Sequence, residues 1–254
     1  FYCENCLRDK ALMRALRAAG HEATTVPLYL PPLGAEPGRA GVAPIFYGGI
    51  NVYLQQKSGL FRRTPRWLDR LFDARPLLSA AGRMAGMTSP DDLAATTLSM
   101  LHGENGRQRK ELDRLVAWLA ETGRPDVVVL SNVLLIGLAR RVREALAVPV
   151  VCLLQDEDEF LDALPPAAAE EAWRVVADRA RQVEALVAVS DYYRREMARR
   201  LGMDAASIAV ARVGVRAGDY PSSDRPTDPP VIGFLSRAYP PKGLDVLAEA
   251  FVRL

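Results

Sequence analysis

Histidine and cysteine are scarce, with two of the first and three of the second in 254 residues. Three cysteines cannot build a disulfide framework. His21 and His102 stand alone, with no partner spacing that would mark a metal or acid–base constellation. No apolar run approaches the roughly 20 residues needed to span a bilayer. An excess of one charge is also missing. The net charge is +2 and the cations are interspersed with acids, so no nucleic-acid partner is expected. The opening Phe-Tyr-Cys-Glu-Asn-Cys lacks the basic-then-apolar pattern of a signal peptide, which makes the cytoplasm the expected compartment. What remains is 49% hydrophobic and 25% charged, the balance of an ordinary globular chain. That is enough to bury one large core or two smaller ones. The first residue is not Met and Ala248–Leu254 is still helix-like, so the sequence reads as truncated at both ends.

Leu7–Ala19 reads as a helix, with Leu12, Leu16 and Ala19 on one stripe, Asn5 able to cap its start and Gly20 suited to its stop. Glu22–Leu28 reads as extended, Pro31–Pro44 as loop, and Ile45–Leu54 as extended around Gly48-Gly49. Arg66–Phe72, Asp91–Leu101 and Gln108–Glu121 have helical spacing. From there the pattern is regular. Apolar runs at Asp126–Leu130, Val148–Leu154, Ala185–Val189 and Ile208–Val213 alternate with amphipathic stretches at Leu134–Ala147, Ala167–Val183 and Asp191–Leu201. Short strands apolar on both faces, alternating with helices, specify a parallel sheet covered on both sides, a doubly wound α/β domain.

Tyr220–Pro230 is rich in Pro, Ser and Asp and reads as a linker. Val231–Leu235 then reads as a new strand and Gly243–Leu254 as a new helix, with Leu244, Leu247, Ala248 and Phe251 on one face. The expected organisation is therefore a domain over 1–219, a linker over 220–230 and the start of a second α/β domain over 231–254. The loop between the new strand and helix is Ser236-Arg237-Ala238-Tyr239-Pro240-Pro241-Lys242-Gly243. Ligands of open parallel sheets sit beyond the carboxyl ends of strands, where a helix N-terminus favours an anion. Arg237 supplies a planar fork for phosphate oxygens and Lys242 a point charge, while Pro240-Pro241 stiffens the loop and Gly243 allows close approach. Together they describe a diphosphate clamp, weighed against two ordinary exposed cations in a loop.

Ile232-Gly-Phe-Leu-Ser-Arg237, Lys242-Gly243-Leu244 and Glu249-Ala250-Phe251 resemble the opening of the donor domain in family 4 glycosyltransferases. Ala188-Val-Ser-Asp191 and Ile208–Tyr220 agree with the same family in position. The resemblance is good from about Asp126 onward, moderate over Phe1–Val26 and loose over 30–115. It implies the GT-B fold: an acceptor-side Rossmann-like domain lacking its first strand, then the first βα unit of a second such domain. It also implies a retaining transfer of a sugar from a nucleotide diphosphate to an acceptor, with Arg237 and Lys242 holding the diphosphate and stabilising the leaving group. The nucleotide sugar is then substrate, and neither a cofactor nor a metal is expected. Where many members carry a His after the strand matching Val148–Leu154, this chain has Gln155-Asp156-Glu157. Where Pro-Asn-Gly often follows the strand at Ile208, it has Arg212-Val213-Gly214.

Other constellations carry two readings each. Cys3-Glu-Asn-Cys6 has the spacing of a redox dithiol or half of a zinc site, but a zinc site needs Cys152 or His21 to join it. Under the resemblance the segment is instead a loop facing the substrate, in which Asn5 contacts acceptor or merely caps the helix. Gln155 through Glu159 lies at the carboxyl end of a predicted central strand. Gln155 and Asp156 are the acceptor-side candidates there, against a solvated acidic loop. Phe61–Phe72 mixes basic and aromatic residues, as a surface helix does or as a segment meeting a membrane or lipid-linked acceptor does. Besides sugar transfer to a sugar, lipid-linked or small-molecule acceptor, the architecture accommodates a nucleotide-sugar epimerase, a phosphorylase or a non-catalytic nucleotide-binding module.

Overall fold

A computed structural model of the chain describes residues 4–28, 46–47, 90–214, 218, 229–236 and 240–253. The chain divides into two compact units, Phe1–Gly214 and Val215–Leu254. The first contains α1 (Glu4–Ala18), α2 (Pro90–His102), α3 (Arg109–Thr122), β1 (Val128–Leu130), α4 (Ala139–Leu146), β2 (Val150–Leu154), α5 (Glu157–Asp162), α6 (Pro166–Ala180), β3 (Ala185–Ala188), α7 (Asp191–Leu201) and β4 (Ile208–Val210). The second contains α8 (Leu244–Val252).

The strands form one parallel sheet in the order β1-β2-β3-β4. Val128 pairs with Val150, Cys152 with Leu186, and Leu186 with Ile208, which puts their side chains in rows across one face. That face is sealed: Leu130, Val150, Cys152, Leu154, Leu186, Ala188 and Ile208 are all buried. Right-handed crossovers between sequential parallel neighbours put α4, α6 and α7 on the same side of the sheet, which accounts for the seal. Each fully buried Leu or Ile there contributes about 1.5–3 kcal/mol by leaving water. The opposite face is less covered, with Val151, Leu153 and Val187 half-buried and Val129 43% exposed.

Local chemistry sets the element ends. Ser190 caps α7 by accepting from the Tyr193 N–H at 3.1 Å, and Gly202 closes it in the left-handed conformation at φ 59°. The predicted bounds Asp191–Leu201 are the observed ones. The predicted helix Leu134–Ala147 is two pieces, a 3₁₀ segment at Val133–Leu138 and then α4. Asn132 starts the first piece by accepting from the Leu134 N–H at 3.1 Å. The segment then passes backbone-to-backbone against the end of α2. A Cβ on Gly137 would sit 2.0 Å from the Met100 carbonyl oxygen, so only glycine fits this crossing. Beside it, Arg179 is buried and donates to the Glu104 carboxylate at 2.9 Å and the His102 carbonyl at 2.7 Å, tying the end of α2 to α6.

Glu22–Leu28 pairs with no strand among the described residues; Tyr47 N–H donates to the Leu28 carbonyl at 2.7 Å, and Phe46 packs on Trp118 with ring centroids 5.7 Å apart. One further expectation differs from the structure. Val231–Leu235 forms no strand. A strand needs a ladder partner for its N–H and C=O groups, and none of the described residues of the second unit supplies one. The expectations for Pro31–Pro44, Arg66–Phe72 and the Phe61–Phe72 segment, and for most of Ile45–Leu54 and Tyr220–Pro230, lie outside the described residues. Among the described residues, no helix is long and apolar enough to cross a membrane.

Candidate functional site

The carboxyl ends of β1 and β2 lie side by side, and the residues that follow them are polar: Ser131 and Asn132 after β1, and Gln155, Asp156 and Glu157 after β2. In an open parallel sheet this edge is where ligands bind. The run after β2 is not the solvated acidic loop that its composition allows. Glu157 is 3% exposed and opens the short helix α5. One of its carboxylate oxygens accepts from the Val133 N–H at 3.1 Å. The other accepts from the Gln155 N–H at 2.7 Å and faces the Tyr193 hydroxyl at 2.9 Å. The Tyr193 hydroxyl in turn accepts from the Glu157 N–H at 2.9 Å and lies 3.0 Å from Asp158.

This network joins β1, β2 and α7 at one point. Burial pushes the Glu157 carboxyl above the usual carboxylate range even though three donors favour its charged form. The Tyr193 hydroxyl is also pushed up, by burial and by the neighbouring Glu157 and Asp158 charges. The turn held in this way is strained. Asp156 sits at φ 63°, a left-handed conformation that non-glycine residues adopt at a cost, and its side chain is exposed at the apex.

The residue missing from the sequence-based site is Arg8. It projects from α1 to the same edge and is only 9% exposed. Its Nη1 donates to Gln155 Oε1 at 2.8 Å, its Nη2 donates to the Ser131 carbonyl, and its Nε and Nη2 grip Asp9 Oδ1 at 3.1 and 2.9 Å. Ser131 also hydrogen-bonds the Asp9 carboxylate, which burial nonetheless holds above its ordinary range. One signal pointed to Arg8: it lies four residues before Leu12 and so continues the stripe of Leu12, Leu16 and Ala19. Leu12 and Leu16 are only half-buried and Ala19 is exposed, so Arg8 is the most buried side chain of that stripe.

The structure thus brings Gln155 and Asp156 to the sheet edge and adds Arg8, Asp9 and Glu157. Asn5 lies in the first turn of α1, with its side chain outside the described residues. Cys3 and the Cys6 side chain are also outside them. Cys152, a candidate third zinc ligand, is fully buried in the sheet with its thiol pushed well up by burial, so it presents no thiolate.

In the second unit, Pro240–Lys242 forms a 3₁₀ turn running into α8, and the Gly243 N–H donates to the Pro240 carbonyl at 3.0 Å. Gly243 is at φ 73°, and a Cβ placed on it would meet nothing within 4 Å. The positive φ is a backbone conformation that favours glycine. Lys242 is half-buried beside this turn, and Arg237 lies outside the described residues.

No curated protein sequence and no solved structure matches the chain significantly. The family described as Glycosyltransferase Family 4 does match, over residues 95–217. That span runs from α2 past β4 and includes the whole sheet together with the Gln155–Glu157 turn. Residues 95–217 are a glycosyltransferase family 4 domain.

Proposed function

We propose that the chain is the acceptor-side domain of a retaining glycosyltransferase, 1–219, followed by a linker, 220–230, and the opening of its donor domain, 231–254. The observation that carries the reading is the family 4 match over a parallel sheet whose carboxyl edge carries the polar residues Gln155 and Asp156, with Gln155 and Asp9 of α1 both held by Arg8. The donor is a nucleotide-diphosphate sugar and the acceptor a hydroxyl of a sugar, small molecule or lipid-linked carrier. The acceptor oxygen bonds to the anomeric carbon as the bond from that carbon to the diphosphate oxygen breaks, and the acceptor proton passes to the departing diphosphate. Arg237 and Lys242 neutralise the charge that builds on the departing diphosphate, which is electrostatic catalysis and calls on no metal. The reaction belongs in the cytoplasm, where nucleotide sugars are the donors at hand, and contact with a membrane is peripheral if the acceptor is lipid-linked.

The test is turnover of the full-length protein. Arg237→Ala and Lys242→Ala each lower release of nucleoside diphosphate from a nucleotide sugar by about 100-fold, the size of effect seen when one preorganised charge-stabilising group is removed. Melting temperature stays within a few degrees. Unchanged turnover in both variants sinks the assignment. Release of nucleoside diphosphate that requires acceptor separates transfer from epimerisation.

A further inference from the structure

One guanidinium organises the sheet edge. Arg8 lies across the ends of β1 and β2 and uses one side on Asp9, another on Gln155 and a third contact on the Ser131 carbonyl. Two consequences follow from the donor–acceptor inventory. Because Gln155 Oε1 accepts from Arg8, the Gln155 amide nitrogen keeps both hydrogens for another partner, and none of the described residues takes them. Because Arg8 grips Oδ1 of Asp9, the carboxylate is anchored, yet its side chain remains 27% exposed. A fixed hydrogen-bond donor and a fixed acceptor are therefore held by adjacent edges of one planar group.

We propose that Asp9 and the Gln155 amide bind hydroxyls of a neutral polyol acceptor, with Arg8 as the positioning residue that aims both. A sugar or cyclitol hydroxyl donates to Asp9 while it or its neighbour accepts from Gln155, the paired contact that vicinal hydroxyls match. The same residues disfavour an anionic acceptor. The Arg8 guanidinium is already engaged by Asp9, Gln155 and Ser131, and the charges beside it are carboxylates, Asp9 and Glu157 in contact with the cluster and Asp156 at the apex of the turn. Among the described residues, a phosphorylated acceptor would meet acids here rather than a free cation. The inference deepens the glycosyltransferase reading and rests on it for the word acceptor, although the binding site stands on its own contacts.

The experiment uses the full chain with ¹⁵N-labelled glutamine side chains. Myo-inositol and methyl α-glucoside are the neutral probes, and glucose 6-phosphate is the anionic one. The neutral probes shift the Gln155 side-chain amide saturably. Asp9→Asn and Arg8→Lys each weaken that binding about tenfold, since each loses a charge-assisted contact or its alignment. Lys keeps the charge but not the fork, so a role that needs only charge leaves R8K binding unchanged. If Arg8→Lys does not fold, Gln155→Leu removes the outward donors while leaving Arg8 and Asp9 in place, and it abolishes the same binding. No saturable shift with either neutral probe, unchanged affinity in the variants, or tighter binding of glucose 6-phosphate overturns the proposal. Binding of UDP-glucose, GDP-mannose and ADP-glucose by the full-length protein is read separately. Donor binding without probe binding removes this inference alone, and probe binding without binding of any donor removes the glycosyltransferase reading alone.

Discussion

Two loops open helices with polar residues, 155–157 before α5 and 240–243 before α8, and they are built differently. In the first, Glu157 is buried and takes hydrogen bonds from Val133, Gln155 and Tyr193, so three elements of the sheet unit fix a turn that strains Asp156. In the second, the described contacts are local: the Gly243 N–H closes a 3₁₀ turn on Pro240, and the Leu247 N–H bonds the Gly243 carbonyl at 2.9 Å. Among the described contacts, the first loop is held by long-range hydrogen bonds and the second by bonds within its own backbone. Donors and acceptors set at fixed positions suit the hydroxyl binding proposed for the first. Charge and backbone N–H groups suit the diphosphate binding proposed for the second.

The largest effect that would break this contrast is at Glu157. Glu157→Ala leaves the Val133 and Gln155 N–H groups without their acceptor and the Tyr193 hydroxyl with Asp158 alone, and it costs about 3 kcal/mol in stability. A denaturant titration that finds under 1 kcal/mol would make the two loops alike. Gly243→Ala is the counterpart in the second unit. It places a side chain at φ 73° and costs about 1 kcal/mol, confined to α8, with the melting of the sheet unit unchanged. Amide exchange separates the two regions, and loss of protection in β1–β4 would contradict a purely local role.

The smallest effect is in pH. Burial raises the Glu157 carboxyl in the folded state, so the folded chain holds that proton more tightly than the unfolded one. Its contribution is full below the ordinary carboxylate range and is lost as pH rises through the raised value. Asp162 runs the other way. Two contacts with Arg200 at 2.8 Å lower its carboxyl, so its contribution is present above the ordinary value and is lost as pH falls through the lowered one. Acid titrations of Glu157→Gln and Asp162→Asn therefore differ from the parent with opposite slopes, and slopes of the same sign would refute the assignment of Glu157 as the raised group.

The alternation of short apolar runs with amphipathic stretches after residue 126 was enough for a parallel α/β sheet, because strands buried by crossover helices must be apolar. The end points of α7 were equally plain, since Ser190 and Gly202 are cap residues of fixed chemistry. The split at Val133–Leu138 was not, because the need for glycine at 137 comes from the backbone of α2, about 35 residues away in sequence. Arg8 was legible only as a cation on an apolar stripe, and its partners Ser131 and Gln155 are reached by folding alone.

By itself, then, the sequence determined the alternation of strands and helices between residues 126 and 213 and which loops follow strand ends there, since hydrophobic period and caps are local properties. Tertiary structure decided which polar residues of those loops are held and by what. Gln155-Asp156-Glu157 has the composition of an exposed acidic turn. It became a hydrogen-bonded corner with Glu157 buried only because Val133, Tyr193 and Arg8 converge on it from three other elements. Burial and hydrogen-bond partnership at a sheet edge are set by long-range contacts, and no local pattern encodes them.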